Sequence, residues 1–368
     1  MRYIKVYLQK PWKYADNSYY LYLTKFSPKE IKFINSNEFK VMYKPKKIKL
    51  NDFLKKSIRW FVKIFMPFLP NVHLTIKKGY DIIHCTHCLS LNKVPWVADI
   101  EWVGQFWISG ESKNCSSKIF VRKILKSKYC KKILAWTKWT KEEIIKEFPE
   151  IKNKIEVLYP AVPTKKIRKK YKNKIVLLFS ARKFYFKGGL HALDVIDKLT
   201  KKYDNVYGII VSDVPKEILE KYKKNKKVKI YNLLPQQKLF KEIYPKCDIF
   251  VYPSYTDTFG FGIIEAMSFG MPVVSVDGQS RKELIKNGKT GFVVKKPLKW
   301  DLRDLENLES LKDTIKQVEK KVELLIKSKH LREFMARNCI KEVENGRFSI
   351  NKRNEKLKKI YKEIISNG

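Results

Sequence analysis

Residues 254–275, SYTDTFGFGIIEAMSFGMPVVS, place two carboxylates, Asp257 and Glu265, on either side of a glycine-rich turn at the expected start of a helix. Acids so spaced, with pliable backbone between them, suit a ligand that offers hydroxyl groups rather than a metal ion. Glycines at 260 and 262 let a ligand reach the main chain without a Cβ in the way. The helix expected over residues 261–269, stopped by Gly270, would aim the amides of Phe261, Gly262 and Ile263 unpaired at an anion, which the helix dipole also favours. A diphosphate fits there, with Asp257 over the loop. Glu265, one turn inside the helix, would accept hydrogen bonds from a vicinal diol such as a ribose.

A glycine-rich strand-to-helix turn is common in α/β proteins, and an acid in a first helical turn also simply offsets the dipole. A second segment separates these readings. LLFSARKFYFKGGLHAL, residues 177–193, sets Arg182 just after one strand and Lys187 just before the next helix. A guanidinium fork and an ammonium point charge aimed at one phosphate pocket can neutralise the charge that develops on a departing diphosphate.

These residues need a scaffold, and the pattern around them supplies one. KIVLLFSAR, VYGIIVSD, VKIYNLL, DIFVYPS, MPVVSVD and GFVVKK are short apolar runs that alternate with helical segments. That alternation predicts a parallel sheet covered on both faces, with ligands at the carboxyl ends of its strands. The first half reads similarly from strands at 2–9, 80–85 and 94–100. A further strand there leads into a helix that Thr140 would cap, with Glu143 three residues on completing a capping box. The basic segment TKKIRKKYKNK, 164–174, is the expected linker. The expected domains are therefore 1–164 and 165–345, followed by a charged amphipathic helix in 346–368 that packs back on the first domain.

Length alone favours two domains over one compact core: the chain has 368 residues. Charge narrows the partners, since 79 Lys and Arg against 37 Asp and Glu leave a net +42, spread through both halves. Nucleic acid, anionic lipid and phosphorylated small molecules all fit that balance. Six cysteines are too sparse for a disulfide framework and fit a reducing compartment. HCTHC, His84 to Cys88, contains a CxxC, but no second Cys/His pair follows at ligand spacing and the segment reads as the end of a buried strand. The opening residues lack the apolar core of a signal peptide, so a cytoplasmic protein is expected. The apolar stretch at 58–70 is interrupted by Lys63 and Pro67 and too short to span a bilayer. With the segment 43–65, which carries eight basic residues against Asp52 and interleaves them with Phe53, Trp60, Phe61 and Phe65, it suits a peripheral position on an anionic membrane at the cytoplasmic face.

The C-terminal half resembles glycosyltransferase family 4, the retaining nucleotide-sugar transferases of the GT-B fold, in which two facing Rossmann-like α/β domains with parallel sheets enclose a catalytic cleft. The resemblance rests on Asp257 and Glu265 at the family's acid-to-glutamate spacing, on EAM and GMPVV that follow, and on Arg182 with KGG at 187–189. It implies a donor that is a nucleoside diphosphate sugar, a glycan or lipid-linked acceptor, and no cofactor or metal. By the same resemblance Asp257 holds donor-sugar hydroxyls, Phe259 and Gly260 line the diphosphate, Glu265 binds ribose and Leu233 lies near the base. The family's first acid is commonly glutamate, one methylene longer than Asp257. In the first half, PWVADIEW runs parallel to a family stretch whose last polar residue is commonly histidine, where this chain has Glu101. Asp99 and Glu101 share a strand face, so they read as acceptor-side residues together with His84, ahead of a metal-binding pair. The alternative, a basic nucleic-acid-binding protein without transferase activity, fits the charge and the aromatic content but lacks a recognised nucleic-acid module.

Overall fold

The computed structural model describes residues 3–10, 14–15, 19–38, 40–41, 45–110, 115–165 and 173–366. Two compact units result: residues 1–161 with 350–368, and residues 162–349. Most of the expected basic linker, 166–172, lies outside the described residues.

The first unit carries strands β1 (Ile4–Gln9), β2 (Tyr14–Ala15), β3 (Ile31–Phe33), β4 (Lys40–Val41), β5 (Val72–His73), β6 (Ile82–Thr86), β7 (Leu89–Ser90), β8 (Trp96–Ile100), β9 (Cys130–Ala135) and β10 (Ile155–Val157). Six of them form a parallel sheet in the order β10-β9-β8-β6-β1-β3. Every residue of β6 and β8 is buried, as expected of central parallel strands covered on both faces. Its helices are α1 (Tyr19–Lys25), α2 (Pro45–Phe65), α3 (Cys115–Lys126) and α4 (Lys138–Glu147), with one more from the far end of the chain. The core gathers Trp96, Phe106, Trp107 and Phe148, with the last two rings stacked at 6.0 Å.

The cap of α4 differs from the sequence expectation. Thr137, in extended conformation, is the N-cap and accepts from the amide of Thr140 at 3.0 Å. Thr140 therefore sits in the first turn, and its hydroxyl donates instead to the Glu101 carbonyl at 2.6 Å. A threonine three residues earlier does the same chemistry, and Lys138 and Trp139 extend the helix toward it.

The second unit alternates regularly. Strands β11 (Ile175–Ser180), β12 (Val206–Val211), β13 (Val228–Tyr231), β14 (Ile249–Tyr252), β15 (Val273–Val276) and β16 (Gly291–Val294) form a parallel sheet in the order β13-β12-β11-β14-β15-β16. Between and after them run α5 (Gly189–Lys202), α6 (Lys216–Tyr222), α7 (Gln236–Lys238), α8 (Phe261–Ser268), α9 (Arg281–Leu284), α10 (Lys312–Lys327) and α11 (Lys329–Glu344). From β11 the chain winds outward through β12 and β13, then returns to the other side of β11 with β14. The switch point of this sheet thus lies between β11 and β14, and a crevice at their carboxyl ends is where such sheets bind ligands.

The last helix, α12 (Ile350–Ser366), belongs to the first unit. Its Arg353 and Asn354 both donate to the Phe26 carbonyl at 2.8 Å, and Lys362 pairs with Glu30 at 2.5 Å. Deeper in, Tyr361 meets His84 Nδ1 at 2.5 Å, and His84 Nε2 lies 2.8 Å from Asp99 Oδ2. His84, Asp99 and Tyr361 are all buried. His84 and Asp99, expected on the acceptor side, thus lie buried against α12. A buried polar group that loses its partner keeps its desolvation cost. Tyr361→Phe should destabilise the first unit by about 1–3 kcal/mol through the orphaned His84; a denaturant midpoint unchanged from the parent chain would refute that role.

Candidate active site in the second unit

The site grows from the two loops that leave the switch point. After β14 ends at Tyr252, the chain crosses Pro253–Asp257 and reaches Gly260, whose φ of +77° is a left-handed conformation open to glycine. A Cβ there would lie 2.7 Å from Arg281 Nη1 and 3.3 Å from Asp257 Oδ2. The turn is therefore packed as tightly as glycine allows, and α8 starts from it. After β11, the Arg182–Lys187 loop ends at Gly188, with φ +72°, where a Cβ would fall 2.1 Å from the Pro253 carbonyl oxygen. Two glycines thus bring the loops of β11 and β14 into main-chain contact.

That contact delivers Lys187 to Asp257. Lys187 Nζ lies 2.9 Å from Asp257 Oδ1 and donates to the Thr256 carbonyl at 3.0 Å. Tyr252 donates its hydroxyl to Asp257 Oδ2 at 2.6 Å. From the loop after β15, Arg281 donates Nη2 to the Asp257 carbonyl at 2.5 Å, and Gln279 accepts from the Asp257 amide at 2.7 Å. Burial opposes ionisation of Asp257, but Lys187 and Arg281, with the Tyr252 hydroxyl, outweigh it and hold the carboxyl below its ordinary range. Asp257 thus anchors Lys187 at the switch point.

Glu265 stands in the opposite condition. Burial pushes its carboxyl up to about 8, against a partial opposing effect from Gln236 and Lys165. Gln236, at the start of α7, donates to Glu265 Oε1 at 2.5 Å. Three residues before it, half-buried Leu233 follows the end of β13. Leu233 and Glu265 therefore share a neighbourhood through α7.

The remaining expectations divide. Ile263 donates its amide to the Gly260 carbonyl at 2.9 Å and buries its side chain, so it is corrected as an anion donor: the first helical turn closes on itself. The Gly262 amide has no acceptor among the described residues. Phe259 is buried with its ring against Phe261 at 5.9 Å, which leaves only its main chain to line a ligand. Arg182 is exposed beyond β11 and has no paired acid among the described residues. Glu101 lies in the first unit, half-buried beyond the end of β8, with its amide donating to Gln105 Oε1 at 2.8 Å. Among the described residues no group of three His, Cys, Asp or Glu side chains could hold a metal ion.

Arg281 escaped the sequence reading. It is fully buried, and its Nε and Nη1 have no hydrogen-bond partner among the described residues. Its signal was positional: VSVDGQSR puts an arginine in the loop that leaves β15, at the ligand-binding end of the same sheet.

Known proteins resemble this chain in sequence and in fold. Residues 163–342 match the family model described as glycosyl transferases group 1. The phosphatidylinositol N-acetylglucosaminyltransferase GPI3 subunit of Saccharomyces cerevisiae is 26% identical over 130 residues, covering 34% of this chain and 28% of that protein. The capsular polysaccharide biosynthesis glycosyltransferase CapM of Staphylococcus aureus is 30% identical over 122 residues, covering 33% of this chain and 28% of that one. This chain thus spans little more than a quarter of the length of either relative. Among solved structures, Anabaena Alr3699/HepE in complex with UDP superposes with a TM-score of 0.63 at 14% identity, covering 98% of this chain and 100% of that one, which places the fold among GT-B proteins. Through residues 163–342 the chain is thus similar to the glycosyl transferases group 1 family.

Proposed function

We propose that this protein is a retaining glycosyltransferase that moves a sugar from a nucleoside diphosphate sugar to a glycan or lipid-linked acceptor. The observation that carries the reading is the junction of Lys187, Asp257 and Gly260 at the switch point of the second sheet. An ammonium has three protons to donate, and Asp257 and Thr256 take two. The third is left for a phosphate oxygen, beside the Gly262 amide and the exposed Arg182.

In this mechanism the bond between the sugar C1 and the β-phosphate oxygen breaks first, passing through an oxocarbenium-like sugar. Lys187, Arg182 and the start of α8 stabilise the departing diphosphate. The acceptor oxygen then bonds C1 on the face the leaving group vacated, and its proton passes to the phosphate oxygen. Glu265 meets the ribose hydroxyls and Leu233 the base. No metal or further cofactor is assigned a role. Known relatives support the donor class, since the Anabaena neighbour binds UDP. Buried thiols at Cys85, Cys88, Cys130, Cys247 and Cys339 fit a cytoplasmic setting.

Because Arg182 is exposed, its replacement spares the fold and tests the chemistry. Arg182→Ala and Lys187→Ala should each lower turnover on the order of a hundredfold or more, as loss of one preorganised donor does. Turnover at the parent level in either variant would place the diphosphate elsewhere.

Glu265 makes a second expectation, on pH. Its folded carboxyl keeps a proton to about 8, whereas an unfolded glutamate releases it near 4.5. Between those values the folded state binds more protons, so this group withdraws stability as pH rises through that window. Glu265→Gln should flatten that part of the stability profile of the ligand-free chain and weaken protection by nucleoside diphosphates against thermal unfolding. An unaltered pH profile together with undiminished protection would remove Glu265 from the site.

A further inference from the structure

Helix α2 is mounted the wrong way round for a helix of a soluble domain. At about 100° per residue, Trp60, Phe53, Ile64, Phe61, Leu54 and Phe65 fall on one arc of roughly 160° or less. A helix packed on a core turns such an arc inward. Here Phe53 is 66% exposed, Trp60 63%, Phe65 61% and Ile64 51%, whereas Lys55 and Val62, on the other side, are each 6% exposed. The apolar arc therefore points outward, and one of the two residues buried on this stretch is a lysine. Exposed Lys56 borders the arc next to Trp60.

The surface does not stop at the end of the helix. Exposed Phe68 lies 6.2 Å, ring to ring, from exposed Phe120 of α3. Beside Phe120 stand exposed Ile119 and, along the same helix, Lys123 and Lys126. Two elements thus contribute to one apolar surface edged with cations. A contiguous exposed apolar patch of this kind marks an interaction surface.

Charge decides what covers it. A second copy of this chain would bring another net +42 to the contact, and like charges oppose that pairing. A bilayer accepts aromatic and aliphatic side chains at the level of its headgroups and, where its lipids are anionic, attracts the bordering cations. No helix among the described residues is long and apolar enough to cross a membrane, so α2 would lie in the interface plane. We propose that α2, with the Phe68–Phe120 contact, docks the first unit on an anionic lipid surface. This docking goes beyond the proposed transfer reaction and is independent of the donor residues in the second unit.

The test is sedimentation of the full chain with phosphatidylcholine vesicles, with and without phosphatidylglycerol, at increasing salt. The chain should sediment with the acidic vesicles, and less so as salt rises. Lys56→Gln with Lys123→Gln should weaken partitioning by about fivefold for each charge removed. Trp60→Ser with Phe61→Ser should abolish binding while leaving the thermal midpoint and donor turnover on a soluble acceptor unchanged, since both side chains are exposed. Equal binding to neutral and acidic vesicles overturns the proposal, as does full binding by the Trp60/Phe61 variant. So does a dimer in solution that Trp60→Ser dissociates and that ignores vesicles, because the surface would then join two copies. Loss of donor turnover in Arg182→Ala without loss of vesicle binding leaves the docking intact, which separates the two proposals.

Discussion

A carboxylate held away from water stays ionised only if cations and hydrogen-bond donors reach it, and Asp257 is held that way by three loops at once. Lys187 comes from the loop after β11, Tyr252 from the strand that leads to the acid, and Arg281 from the loop after β15. None of these loops could move alone without leaving a charge buried and unpaired. Gly188 and Gly260 follow from the same demand, because any side chain at either would hold the loops apart. The order at the mouth of the second sheet is therefore electrostatic first and steric second.

Two acids eight positions apart in sequence consequently lead different lives. Asp257 stays charged well below neutral pH, and Lys187 is thereby kept in one place. Glu265, one turn into α8, accepts from the Gln236 amide, but burial outweighs that bond and the Lys165 charge, so its carboxyl holds a proton to about 8. Environments that push paired titratable groups apart are the usual means by which one site holds a fixed charge and an adjustable one. Here the fixed charge positions a cation, and the adjustable one answers to what lies beside it.

Both parallel sheets were legible in the sequence because central parallel strands must be apolar on both faces, and the runs at 82–86, 175–180 and 249–252 are. Lys187, Asp257, Gly260 and Glu265 stood out in the sequence because each lies close to an expected helix start. Their partnerships were not. Asp257 meets Lys187 across 70 positions and Arg281 across 24, and separations of that kind carry no periodic signal. Thr140 looked like a cap because sequence cannot show that Thr137 already adopts the extended conformation a cap needs. His84 and Asp99 looked like site residues for the same reason: only the placement of α12 shows Tyr361 waiting for them. The amphipathic character of α2 was plain from its residues, but its orientation was not, since a wheel has no inside until something packs on it.

The two buried polar clusters differ in the sign of what is left over. Around His84 one ring nitrogen meets the Tyr361 hydroxyl and the other lies 2.8 Å from Asp99, whose carboxylate oxygens are themselves without a hydrogen bond among the described residues. Around Asp257 donors outnumber acceptors. Lys187 keeps one proton beyond those that Asp257 and Thr256 accept, Arg281 keeps Nε and Nη1 unsatisfied, the Gly262 amide lacks an acceptor, and Arg182 stands nearby in sequence without an acid. A buried donor without an acceptor costs free energy until something negative arrives. Gathered at the switch point of a parallel sheet, such donors form the kind of surface that an anion satisfies.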